Sequence, residues 1–160
     1  MSSRGYGGSS GAGTSFMADD SFEDEMNTSV FPRQSTARVL VVEDDAHLRA
    51  MLVERLRRDA FEVIEAVSGD DALTLLSYPF TDRPLDVDLL ILDHRMPGIT
   101  GLEIARMLRV SGDATPVLLI TAFPDQKLRA EAAALDVHML PKPFQLERFS
   151  DAATQTLLAS

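Results

Sequence analysis

Four short, continuous apolar runs, each closed by polar or charged residues, constrain the fold of this chain more than any other feature. Val39-Leu40-Val41-Val42 leads to Glu43-Asp44-Asp45, and Leu89-Leu90-Ile91-Leu92 leads to Asp93. Val117-Leu118-Leu119-Ile120 leads to Thr121, and Val137-His138-Met139-Leu140 leads to Pro141-Lys142-Pro143. Runs this short, with little polar alternation, suit strands buried on both faces, as in a parallel sheet. A further candidate, Glu62 to Val67, is more polar, as an edge strand would be.

Helical patterns fill the intervals. Asp45 can cap a helix whose apolar face is Leu48, Met51, Leu52 and Leu56. Ser68 can cap a second, with Ala72, Leu75 and Leu76 inward. Thr100-Gly101-Leu102-Glu103 has the form of a capping box that opens a third through Ile104, Ala105 and Leu108. A fourth is expected over Asp125 to Leu135, facing inward through Leu128, Ala132 and Leu135, and a last one carries Leu146, Phe149, Ala153 and Leu157. Five alternating strand-helix units imply an α/β fold, a parallel sheet with helices on both faces. The order 2-1-3-4-5 is one of two common solutions that the pattern leaves open.

Residues 1–36 differ from the rest. The first fifteen are Gly/Ser-rich, Asp19 to Glu25 is acidic, and there is little apolar surface to offset chain entropy, so a disordered arm is expected. The formal net charge is -10 and no Lys/Arg cluster stands out, which argues against direct nucleic-acid binding. Without cysteine there are no disulfides, thiolate metal sites or cysteine nucleophiles. No stretch is apolar for long enough to span a bilayer and the first residues lack a secretory core, so a cytoplasmic protein without membrane contact is expected.

Ligands of open parallel sheets bind beyond the carboxyl ends of the strands. Those ends here present Glu43 and Asp44, then Asp93, then Thr121, then Lys142. If the strands are neighbours, three carboxylates, a hydroxyl and an ammonium converge. Like charges at such spacing raise one another's pKa, and a hard divalent cation relieves the conflict. Mg2+ accepts one or two carboxylates together with phosphate oxygens. A carboxylate can also act as nucleophile and form an aspartyl phosphate, with an ammonium and a hydroxyl stabilising the transferred group. Taken singly, each residue has a plainer reading: Asp93 as a loop cap, Thr121 as structural, Lys142 as a surface charge, Glu43-Asp44 as a helix N-terminal pair. Their joint placement at the ends of four buried runs favours a site. His47 and His94 have no second histidine at ligand spacing, so solvated or loop roles suit them better; His138 lies within a strand run as a core or edge residue.

With these residues in view, the stretch 37–160 resembles the receiver domains of response regulators. The resemblance rests on Val-Leu-Val-Val-Glu-Asp-Asp at 39–45, Leu-Asp-His-Arg-Met-Pro-Gly-Ile-Thr-Gly-Leu-Glu at 92–103, Leu-Ile-Thr-Ala at 119–122 and Pro-Lys-Pro-Phe at 141–144. It implies a flavodoxin-like (βα)5 fold of order 2-1-3-4-5 and Mg2+ in the acidic pocket. It also implies Asp93 as phosphoacceptor, Asp44 as metal ligand with Glu43 as its partner acid, and the backbone carbonyl of Arg95 on the metal. Thr121 and Lys142 match the switch hydroxyl and the phosphoryl-contacting lysine, and Lys142-Pro143 matches a bond that is usually cis. The implied partners are a histidine kinase or histidine phosphotransfer protein and an unidentified downstream protein. The chain would then be a signalling domain, not an enzyme of the ordinary kind.

Some positions depart from that pattern. Met139 stands where an aromatic switch residue is common, and Leu135-Asp136-Val137 where Gly-Ala is common. Arg95, large and charged beside the site, is expected to alter phosphoryl lifetime. A phosphohydrolase of the haloacid-dehalogenase type would need an acid at position 95, and a flavodoxin would not carry Glu43-Asp44-Asp45 in its phosphate loop. A stand-alone receiver, part of a larger regulator or hybrid histidine kinase, and a partner-binding pseudo-receiver are the remaining alternatives.

Overall fold

The computed structural model describes residues 36–76 and 85–160. The arm expected over residues 1–36 lies outside them, Thr36 excepted. The elements alternate: β1 (Arg38–Val42), α1 (Ala46–Arg58), β2 (Glu62–Ala66), α2 (Gly69–Leu76), β3 (Leu89–Asp93), α3 (Gly101–Val110), β4 (Val117–Thr121), α4 (Gln126–Ala134), β5 (His138–Pro141) and α5 (Leu146–Leu158). The strands form one five-stranded sheet in the order β2-β1-β3-β4-β5, and every neighbouring pair is parallel.

The two-residue period of a strand divides the core. Val39, Val41, Leu89, Ile91, Leu118 and Ile120 pack with Leu52, Leu56 and Phe149 of α1 and α5. Their alternates Leu40, Val42, Leu90, Leu92, Val117 and Leu119 pack with Ala72, Ile104, Leu108, Leu128 and Ala132 of α2, α3 and α4. β3 and β4 are buried along their full lengths because helices cover both faces. The run at β5 is not: His138 is exposed and Met139 half-buried, since β5 is an edge of the sheet. β2 forms the other edge, as its polar sequence indicated.

The helix caps follow the expected chemistry. Asp45 Oδ1 accepts from the backbone N–H of His47 and Leu48 at 2.9 and 3.0 Å. The Thr100–Glu103 capping box is complete, with bonds of 2.8 and 3.2 Å. Ser68 Oγ accepts from the Asp71 N–H, and Asp125 Oδ1 from that of Leu128. Two inward faces differ from expectation. Met51 is 39% exposed and Val53 takes the buried place beside Leu52 and Leu56, because the seam of α1 runs on that side of the Leu48–Leu52–Leu56 stripe. On α2, Leu75 points outward while Leu73 and Leu76 pack on the core.

Candidate functional site

β1, β3, β4 and β5 end at one edge of the layer, and parallel pairing sets their terminal residues side by side. Leu92 pairs with Val42 and Leu119, Asp93 with Ile120, and Thr121 with Pro141. Carboxylate oxygens of Glu43, Asp44 and Asp93 all lie within 4.8 Å of one another. Lys142 Nζ reaches in from beyond β5, 3.2 Å from Asp93 Oδ1 and 3.7 Å from Glu43 Oε2. The three acids and the lysine therefore come together as expected. Thr121 stands at the end of β4, 1% exposed, but its hydroxyl is engaged by its own loop: Oγ1 accepts from the Phe123 N–H at 3.1 Å.

Local structure sets these positions. Glu43 is 2% exposed. Its Oε1 accepts from the Asp45 N–H at 3.1 Å, while Oε2 has no hydrogen-bond partner. Burial, and then the charge of Asp93, push its pKa from 4.5 up to about 7. A buried acid with an orphaned oxygen beside two further carboxylates is a donor set that suits a hard divalent cation. Asp45 turns away to cap α1 and stays outside the cluster. Behind Asp93 the chain turns so tightly that a Cβ on Gly101 would lie 2.5 Å from the Asp93 carbonyl oxygen, so only glycine fits there. Lys142 is steadied from both ends. Its backbone N–H donates to the Thr121 carbonyl at 2.7 Å, and Phe144 stacks on Phe149 of α5 with ring centroids 5.8 Å apart. The Lys142–Pro143 bond is cis.

Two contributors were not anticipated. Arg49 of α1 donates from Nη1 to the Glu43 carbonyl at 2.8 Å and pairs through Nε with Glu65 at 3.4 Å, pinning the loop that carries the acids. A basic residue in the first turn of a helix that opens behind acids was the available signal. Phe123 lies beneath Arg95, whose guanidinium carbon is 4.0 Å from the ring centroid. A ring in a Thr-Ala-Phe-Pro loop has no periodicity to reveal it. The histidines take no part in the acidic cluster: His47 is exposed on α1, His94 Nδ1 is buried without a hydrogen-bond partner, and His138 Nδ1 lies 3.2 Å from Thr156 Oγ1.

Comparison with known proteins gives one answer. The family model for the response regulator receiver domain matches residues 39–154. A probable transcriptional regulatory protein of Picosynechococcus is 40% identical over 114 residues, covering 69% of this chain and 45% of that protein. The response regulator MprA of Mycobacterium tuberculosis is 40% identical over 115 residues, covering 70% of this chain and 46% of that protein. The chain thus spans about half the length of the curated relatives it matches. Among solved structures, the non-phosphorylated HemR receiver domain from Leptospira biflexa superposes with a TM-score of 0.68 at 32% identity, covering 76% of this chain and 94% of that one. The response regulator TrrA from Thermotoga maritima, in complex with Mg(2+)-BeF, gives a TM-score of 0.63 at 30% identity, covering 76% and 99%.

Proposed function

The chain belongs to the response regulator receiver domain family, and on that premise we propose that Asp93 accepts a phosphoryl group from a phosphohistidine on a kinase or phosphotransfer partner. Members of this family are signalling domains of two-component systems. The observation that carries the proposal is the Lys142 ammonium 3.2 Å from Asp93 Oδ1, next to a cluster of three carboxylates.

A carboxylate oxygen of Asp93 attacks phosphorus in line, the phosphorus–nitrogen bond of the donor breaks, and the departing imidazole keeps the electron pair and takes up a proton. Lys142, already between Asp93 and Glu43, meets the negative charge on the phosphoryl oxygens. Mg2+ held by Glu43, Asp44, Asp93 and the Arg95 carbonyl would supply charge neutralisation between the acids and the phosphoryl oxygens. The Thr121 hydroxyl turns from the Phe123 N–H towards the new group, and the β4–α4 loop moves with it. The face of α4, β5 and α5 then changes its affinity for a downstream protein.

We take the receiver domain to occupy residues 37–160 and to work in the cytoplasm; no helix among the described residues is long and apolar enough to cross a membrane. The expectation of no nucleic-acid contact does not extend beyond this stretch, because a relative about twice its length is described as a probable transcriptional regulatory protein. The deciding experiment is incubation with Mg2+ and a small phosphodonor, then intact-mass measurement. A hydroxylamine-labile gain of one phosphoryl group is expected, and its loss in Asp93→Asn places it. An undiminished adduct in that variant overturns the assignment.

A further inference from the structure

The contact at the rim of the site that this mechanism does not use is the stack of Arg95 on Phe123. The guanidinium carbon lies 4.0 Å from the ring centroid. Phe123 is a large apolar ring left 57% exposed, so hydrophobic burial does not explain its place. Arg95 makes no salt bridge among the described residues, although acids stand close to it in sequence and at the neighbouring strand end. The two side chains come from different loops. Arg95 lies two residues after the acceptor and Phe123 two residues after Thr121, and these loops leave adjacent strands. Phe123 also donates its backbone N–H to Thr121 Oγ1. One residue thus holds the free cation with its ring and the switch hydroxyl with its backbone.

We propose that Arg95 is a second phosphoryl-contacting cation, parked on the Phe123 ring until Asp93 is phosphorylated, and that its departure releases Phe123. This deepens the phosphoacceptor reading and rests on it. In the resting chain Asp93 is already paired with Lys142, so Arg95 gains little by leaving the ring. Phosphorylation replaces the single charge of the carboxylate with about two, carried on three acceptor oxygens that reach further out of the pocket. Charge-assisted guanidinium–phosphate hydrogen bonds, often bidentate, are stronger than an exposed cation–π contact. The group therefore takes Arg95 from the ring and, at the same step, the Thr121 hydroxyl from the Phe123 N–H. Both holds on Phe123 are lost together. The residue lies next to Pro124 and to Asp125, the cap of α4, so its release is felt at the head of that helix. Position 139 holds a flexible methionine, and the ring that responds in this chain is at 123.

The test uses the lack of tryptophan in the sequence. Phe123→Trp places a sole indole under the guanidinium and keeps the stack, because tryptophan is the best aromatic partner for a cation. Emission of the full chain is monitored with Mg2+ alone and then with Mg2+ and acetyl phosphate, and the adduct is counted by mass beside the wild-type chain. The expected result is an emission change that grows with the adduct in Phe123→Trp. It loses most of its size in Arg95→Met/Phe123→Trp and is largely retained in Arg95→Lys/Phe123→Trp. An equal change with methionine at 95, or a full adduct with unchanged emission, overturns the parked-cation proposal while leaving Asp93 as acceptor. An adduct on the wild type but none on Phe123→Trp also overturns it, since a side chain that keeps the stack would then block the chemistry itself. No adduct on the wild type overturns the phosphoacceptor reading and this inference with it.

Discussion

Lys142 Nζ lies 3.2 Å from Asp93 Oδ1, bridging the end of β5 to the middle strand of the sheet across β4. The same ammonium is 3.7 Å from Glu43 Oε2 and so stands over the donor set a cation would occupy. At an effective dielectric of about 20, two unit charges about 4 Å apart interact by ~4 kcal/mol, most of it offset by solvation. Lys142→Met is therefore expected to tighten Mg2+ binding by about tenfold, ~1.4 kcal/mol, while slowing phosphorylation. Titration calorimetry with Mg2+ checks the first effect; unchanged or weaker binding contradicts it.

Glu43 gives the metal-free protein a pH dependence of defined sign. Its pKa is 4.5 ordinarily and about 7 in the fold, raised chiefly by burial. Between those values the folded chain holds a proton that the unfolded chain has released, so stability falls as pH rises. The contribution is complete below 4.5 and lost above about 7. Urea unfolding with chelator at about pH 5 and about pH 8 is expected to show a difference that shrinks in Glu43→Gln. Equal slopes in the two proteins would reject this account.

Gly101→Ala forces a Cβ to 2.5 Å from the Asp93 carbonyl, a backbone atom that cannot step aside without moving Asp93. A loss of about 1–3 kcal/mol or more is expected, with phosphorylation impaired. Gly112→Ala is the control: its φ of +82° strains an alanine, but its Cβ meets nothing within 4 Å, so Asp93 is undisturbed. Denaturant midpoints and adduct yield for the two variants separate the effects.

Much of this was legible beforehand, and the reason is physical. A strand buried on both faces needs an unbroken apolar run, and a site at its end needs a polar residue right after it, so β1, β3 and β4 announced both the sheet and the polar groups gathered at its edge. Asp45 and Thr100 were legible because an orphaned helix N–H selects few side chains. Met51 and Val53 were not, because the 100° step of a helix leaves both flanking the Leu48–Leu52–Leu56 stripe until its neighbours are known. The stack of Arg95 on Phe123 joins two loops distant in sequence, which no local pattern encodes.

Ala60 shows the same gap in reverse. It has φ of +68° at the end of α1, where its N–H bonds to the Arg57 carbonyl and that of Phe61 to the Leu56 carbonyl. Glycine is the residue usually found in such a turn. Ala60→Gly is expected to stabilise the fold by ~1 kcal/mol, the left-handed penalty of a Cβ, less the entropy glycine adds to the unfolded chain. A lowered denaturant midpoint would contradict it.

Ser150 Oγ donates to Asp59 Oδ2 at 2.6 Å, and Arg55 Nε meets the same oxygen at 3.2 Å, joining α1 to α5. Ser150→Ala is expected to cost about 1.5–3 kcal/mol, the range for a hydrogen bond to a charged group. In a double-mutant cycle with Asp59→Ala the two losses fall short of additivity; strict additivity would show that the bond does not link the helices energetically.

β1, which leads into Glu43 and Asp44, flanks the middle strand on one side, while β4 and β5, which carry Thr121 and lead to Lys142, lie on the other. The molecule is lopsided about Asp93: two acids stand on one side of it, a hydroxyl and an ammonium on the other. If phosphorylation acts through Thr121 as proposed, substitutions along β2 and α2 leave untouched what the opposite flank displays.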